Sequence, residues 1–137
     1  MKRYKKHYYH MNEAEIATVK TIVKKRLQNM STLTHFHDMV EKRIDLTYTE
    51  ILEIFYNGDF NLIECHNAYD NNCGSFRAVI RSHQIVKERN IIIVVDVFKQ
   101  QVVTMYTNHH EDAHSTLDES KYFNTDVKLD KMYRRCL

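Results

Sequence analysis

The stretch SFRAVIRSHQIV at residues 75–86, followed by KERN at 87–90 and IIIVVDVF at 91–98, decides the fold class. In the first segment Phe76, Ala78 and Ile80 share one side of a period-two pattern, and Ser75, Arg77, Arg81 and His83 share the other. This reads as a strand with one apolar face and one wet, cationic face. Residues 87–90 form a turn, and the run after them is apolar on both faces, which marks a central strand. Working outward, Gln101 to Asn108 supplies a following strand and Phe60 to His66 a preceding one. Between Phe60–His66 and residue 75, an Asp-Asn-Asn cluster and Gly74 turn the chain. The pattern predicts a four-stranded antiparallel meander.

Upstream of residue 60 the period becomes helical. Asn12 and Glu15 form a capping box ahead of Ile16, Val19, Val23, Leu27 and Met30, so a helix is expected over 13–29. Thr34 is expected to cap a second helix that ends near Arg43, with Phe36, Met39 and Val40 facing inward. Thr47 with Glu50 is a further capping box and Leu46 with Ile51 a hydrophobic staple, giving a third helix over 48–57 with Gly58 in the left-handed position after it. Two to three helices followed by a run of strands is an α+β order, and 137 residues suit a single domain. Within it, residues 1–11 are expected to be a basic flexible arm, 12–108 the α+β core, and 109–137 a polar, acidic tail with a short helix near 126–135.

Composition removes several function classes. With no proline and two glycines, the chain has neither a Gly-rich phosphate loop nor a dinucleotide fingerprint, so any phosphate must be held by side chains. Three cysteines without a C-x-x-C pair point to reduced thiols. The longest apolar run, Ile91 to Val95, is far below a membrane span, so no membrane partner and a cytoplasmic setting are expected. The net charge of +2 conceals a segregation, because residues 1–30 carry +6 and the rest −4. Lys2, Arg3, Lys5, Lys6, Lys24, Lys25 and Arg26, interleaved near the start with tyrosine and histidine, form a mixture that can neutralise phosphates and stack on unpaired bases.

One polar set could carry chemistry: His35 or His37 on the second helix, Arg77, Arg81 and His83 on the strand, and Thr104 with Tyr106 on the last strand. Metal-free RNA cleavage needs a base for the 2′-hydroxyl, a cation for the developing phosphorane charge and an acid for the departing 5′-oxygen. Histidine, arginine and tyrosine can fill these roles without any cofactor. His35 and His37 point about 200° apart on a helix, so only one can face the site.

The run HFHDMVEKRI at 35–44, then TYTEILEI at 47–54, Asn57-Gly58 and Ile63-Glu64, resembles the H-x-x-x-R-x-x-x-R-G-I…L..G..IE signature of a small RelE-like family. Residues 43–48 are also similar to a segment of the phage RegB endoribonuclease, and the strands FRAVI, IIVVD and VVTMY extend the likeness over about residues 33–107. The resemblance implies an α+β fold and metal-independent endoribonuclease activity, toxin-like or phage-type, in a bacterial or phage-infected cell. Carried over, His35 matches the motif histidine, Arg77 the strand arginine, and Thr104 or Tyr106 the polar position of the last strand. RNA is the implied partner, with a protein inhibitor or host protein as a second. The alternative is a non-catalytic interaction protein that inhibits a host protein or binds nucleic acid.

Two metal patterns compete. His110-Glu111-Asp112-Ala113-His114 satisfies H-E-x-x-H, which on a helix could hold zinc, but its polar flanks favour a solvated loop and no metal. Cys65, His66 and Cys73 match no standard metal spacing.

Overall fold

The computed structural model describes residues 2–67, 74–112 and 116–132. The elements run β1 (Lys5–His7), α1 (Glu13–Leu27), β2 (Ser31–Thr32), α2 (Thr34–Arg43), α3 (Tyr48–Asn57), β3 (Phe60–His66), β4 (Arg77–Val86), β5 (Arg89–Asp96) and β6 (Gln101–His109). The fold is α+β. Strands β3 to β6 are the expected meander, each antiparallel to the next. The sheet is nevertheless six-stranded and mixed, in the order β1-β3-β4-β5-β6-β2, because β1 adds antiparallel to β3 and β2 adds parallel to β6. At three and two residues, these strands are too short to show a period in the sequence.

The expected flexible arm is thus an edge strand. Tyr4 is fully buried, with its N–H donating to Asn67 Oδ1 at 2.8 Å. Lys6 is buried too, and its ammonium reaches Glu15 of α1 at 2.7 Å and the Val127 carbonyl at 2.9 Å. On its outer side β1 bonds to Phe123 through both backbone groups of Lys5. The acidic tail is therefore a strap. Lys2 pairs with Asp126, Asn124 donates to the Arg3 carbonyl, and buried Leu129 donates its N–H to Glu15 Oε2 at 2.7 Å. Where a short helix was expected, a 3-10 turn spans Leu129–Met132, and the rest of that span lies outside the described residues.

The helix ends follow local capping chemistry. Asn12 accepts from the Glu15 N–H ahead of α1, and Thr47 and Glu50 make both bonds of their capping box ahead of α3. Helix α1 ends at Leu27, two residues early, and Thr34 is the first residue of α2 rather than its cap. Gly58 has φ −108°, extended rather than left-handed. Its glycine is required by closeness, since a Cβ there would lie 2.7 Å from the Ile54 carbonyl oxygen.

All three helices cover one face of the sheet. Val19, Val23 and Leu27 of α1, Phe36 of α2, and Ile51 and Phe55 of α3 join a continuous core with Leu62, Cys65, Ala78, Ile80, Ile93 and Met105. The other face carries no helix among the described residues.

Candidate functional site

The helix-free face is set by the ladder register, which lines its side chains up in three rows. One row reads Lys5, His66, Arg77, Asp96 and Gln101, and the next His7, Glu64, Val79, Val94 and Thr104. The third reads Asn61, Arg81, Ile92 and Tyr106. Strands lie about 4.8 Å apart, so Glu64 and Thr104 stand about 14 Å apart across the trough. Its floor is a separate apolar cluster of Ile63, Val79 and Ile92, with Val94 and Tyr106 packed on it. Titratable groups surround that floor.

Glu64 owes its place to a β-bulge. The register shifts between Leu62 and Glu64, so Ile63, Glu64 and His66 face the trough while Leu62 and Cys65 face the helices. The Glu64 carboxylate accepts from the Tyr122 hydroxyl at 3.0 Å and lies 3.6 Å from Lys5 Nζ. Burial, then the Glu64 charge and hydrogen bond, raise the Tyr122 pKa, so Tyr122 keeps its proton. Burial likewise raises Tyr106, helped by the Glu64 charge and opposed by Arg81. Tyr106 is therefore a proton-bearing phenol close enough to Glu64 to sense its charge.

At the end of the trough Arg77 lies directly opposite His66 on one side and Asp96 on the other, with Nε 3.7 Å from Asp96 Oδ2. Asp96 is fully buried and also accepts from the Lys99 N–H at 3.1 Å. His66 is pushed down to about 4, chiefly by burial and against the pull of Glu64, which keeps it neutral at ordinary pH. Glu64 and Arg77 are diagonal neighbours on adjacent strands, about 7–8 Å apart at the backbone.

The sequence-predicted set divides. Arg77, Arg81, Thr104 and Tyr106 do share this face. Arg81 is nevertheless consumed: it is buried and donates to Asn90 Oδ1 at 2.8 Å, to the His109 carbonyl at 3.1 Å and to the Asp112 carbonyl. The strand is therefore not wet and cationic throughout, since Arg81 clamps the turn after β6. His35 is exposed on α2, in the helix layer, with the sheet between it and Arg77. His37, on the same helix, meets Thr32 Oγ1 at 2.7 Å and stacks edge-on against Tyr48. His83 falls where the β4–β5 register is broken and turns to Asn61 at 2.9 Å and Asp59 at 3.9 Å. None of these three histidines joins the arginine.

The basic residues divide as well. Lys2, Lys5 and Lys6 are held in the ion pairs given above, and Arg26 donates to the Val97 carbonyl. Arg3, Lys24 and Lys25 face solvent. The zinc alternative loses its helix, because His110 and Glu111 form a turn after β6, and His114 lies outside the described residues. Cys65 and His66 point to opposite faces of β3, and Cys73 lies outside the described residues. Among the described residues no His, Cys, Asp and Glu side chains group as a metal site.

Sequence reasoning missed Glu64, His66 and Tyr122 as site members. Strict alternation from Leu62 would send Glu64 and His66 into the core, and only the apolar Cys65 between them signals the bulge. No protein-family model, no curated protein and no solved structure matches this chain.

Proposed function

We propose that the helix-free face cleaves RNA without a metal ion. Support comes from one arrangement: Glu64, Arg77 and Tyr106, a carboxylate, a cation and a protonated phenol, stand around a single apolar floor. Glu64 removes the proton of a ribose 2′-hydroxyl. The 2′-oxygen forms a bond to the adjacent phosphorus, Arg77 stabilises the charge that develops on the phosphoryl oxygens, and the bond to the 5′-oxygen breaks as Tyr106 donates its proton. The products are a 2′,3′-cyclic phosphate and a 5′-hydroxyl, and water returns each side chain to its starting protonation. Tyr122 and Lys5 orient the carboxylate, while the apolar floor seats a base or ribose.

The test is incubation of total RNA with the wild type and with Glu64→Gln, Arg77→Lys and His35→Ala variants, all in EDTA. Cleavage is expected from the wild type and from His35→Ala. The Glu64→Gln rate is expected to fall by about 10²-fold or more, the scale of a lost general base. RNA binding without cleavage by the wild type would replace this reading with that of a non-catalytic nucleic-acid-binding protein.

A further inference from the structure

The tyrosines and histidines near the start of the chain take no part in the cleavage chemistry, yet the fold gathers them at one side of the trough. His7 lies directly opposite Glu64 in the β1–β3 register, so its ring shares the helix-free face, and the chain then makes a 3-10 turn over Tyr8–His10. Five rings meet there. Between ring centres, His7 lies 4.2 Å from Tyr8, 5.0 Å from Tyr9 and 5.6 Å from Tyr122, Tyr8 lies 4.5 Å from Tyr9, and His10 lies 5.4 Å from Tyr122. Tyr122 is the residue whose hydroxyl donates to Glu64, so the ring group begins at the proposed base. Its turn is fixed from within, because His7 Nδ1 accepts from the Tyr9 N–H at 3.2 Å and His10 Nδ1 accepts from the His7 N–H at 3.0 Å. Burial, then a hydrogen bond with Tyr9, pushes the Tyr8 hydroxyl up to about 12, so Tyr8 stays a neutral phenol tied to Tyr9. Tyr9 itself is 54% exposed, a large ring held by its neighbours with more than half of its surface open.

We infer that this ring group, with Tyr9 outermost, is the subsite for the base on the 5′ side of the cleaved nucleotide, so that the substrate is single-stranded RNA entering over β1; the inference rests on the cleavage reading above. The polarity follows from the chemistry. Attacking and leaving oxygens lie roughly in line through phosphorus. The base Glu64 stands on β3 and the acid Tyr106 on β6, so the nucleotide that gives up its 2′-hydroxyl lies on the β3 side and the departing 5′-oxygen on the β6 side. The next strand outward from β3 is β1, and the side chain it sets beside Glu64 is His7. The charges nearby are matched, Lys5 with Glu64 and Glu119 with His10, so this surface favours a flat, uncharged group over an ionic one. A nucleobase is such a group, and stacking on a tyrosine already held in place costs little ordering. A base seated on Tyr9 is outside any duplex stack, which is why the strand must be single.

The probe is a single cleavable step, a ribouridine followed by a deoxyuridine, used alone and extended by one deoxyadenosine on its 5′ or its 3′ side, with the full chain in EDTA. The 5′ extension is expected to lower KM by about tenfold or more, the scale of one base–aromatic stack, and an abasic sugar in its place is expected to give no such gain. Tyr9→Ala is expected to abolish the 5′ gain and Tyr9→Phe to keep it, both with the wild-type melting temperature. The same comparisons are made as binding, by fluorescence anisotropy, with strands labelled at the 3′ end and blocked against cleavage by a 2′-O-methyl group on the uridine. Binding that depends on the 5′ base and on Tyr9, without cleavage of any strand, would uphold the subsite and refute the cleavage reading alone. Cleavage with no 5′ gain, a 5′ gain that survives Tyr9→Ala, or a gain from the 3′ extension in its place would overturn the subsite and leave the cleavage reading intact. Neither binding nor cleavage of any strand would overturn both.

Discussion

Replacing Lys6 by methionine tests how deeply the N-terminal segment is built into the fold. The Lys6 side chain is 3% exposed and that of Glu15 4%, with 2.7 Å between ammonium and carboxylate. The other carboxylate oxygen accepts from Leu129 N–H at 2.7 Å, and Lys6 also donates to the Val127 carbonyl, so the pair joins β1, α1 and the C-terminal strap. Methionine keeps the aliphatic volume but leaves Glu15 buried without its cation, a change that costs about 3–5 kcal/mol in a buried pair. For a domain of this size each kcal/mol corresponds to about 3–4 °C, so the melting temperature is expected to fall by about 10–20 °C. The double variant Lys6→Met, Glu15→Gln removes both charges while keeping an acceptor for Leu129, and its loss is expected to shrink to about 1–2 kcal/mol. Thermal melts by circular dichroism read both. A Lys6→Met loss of about 1 kcal/mol or less, as for an exposed ion pair, would refute the reasoning and return the segment to a loosely attached arm.

Three further outcomes follow from the same geometry. Arg81→Ala strips the donor from Asn90 Oδ1 and from the His109 and Asp112 carbonyls, and urea denaturation is expected to show a loss of about 2–4 kcal/mol. His66 is held neutral with a pKa of about 4, below its ordinary 6.5, so the unfolded chain binds the proton more readily between these values. Its contribution is complete above pH 6.5 and is lost as pH falls toward 4, by about 2–3 kcal/mol; urea melts of His66→Asn are expected to lack that slope. Gly58→Ala is expected to cost about 1–2 kcal/mol in the same assay despite its permissive φ, because the added Cβ meets the Ile54 carbonyl.

The parts of the fold legible in the sequence were those written as long periods. Helices α1 to α3 and strands β3 to β6 each run for at least seven residues, and the helix ends lie within about two residues of those the capping and periodic signals predict. β1 and β2 left no such trace, because their pairing is decided by partners distant in the chain: Glu64–His66 for one, Gln101 and Val102 for the other. The charge of residues 1–30 was legible but its destination was not. A lysine run reads the same whether it faces solvent or, like Lys6, is matched by a glutamate on a neighbouring helix. The site was half legible. Arg77 stands at a regular strand position, whereas Thr104 and Tyr106 reach the trough after the register shift opposite Val94 and Val95, and Glu64 and His66 through the bulge at Ile63. The histidines favoured by their chemistry, His35 and His37, sit on a helix whose packing side is fixed by Phe36 and Val40, on the far side of the sheet.

The central claim is that the trough around Glu64 and Arg77 cleaves RNA by 2′-hydroxyl attack. Its most direct test is single-turnover cleavage of a short end-labelled RNA in EDTA by the wild type and by Glu64→Gln, with the all-2′-deoxy strand of the same sequence as control. The expected result is a product ending in a 2′,3′-cyclic phosphate from the wild type, a rate about 10²-fold or more lower for a folded Glu64→Gln, and an intact deoxy strand. Cleavage of the deoxy strand, or equal rates for wild type and Glu64→Gln, would contradict it.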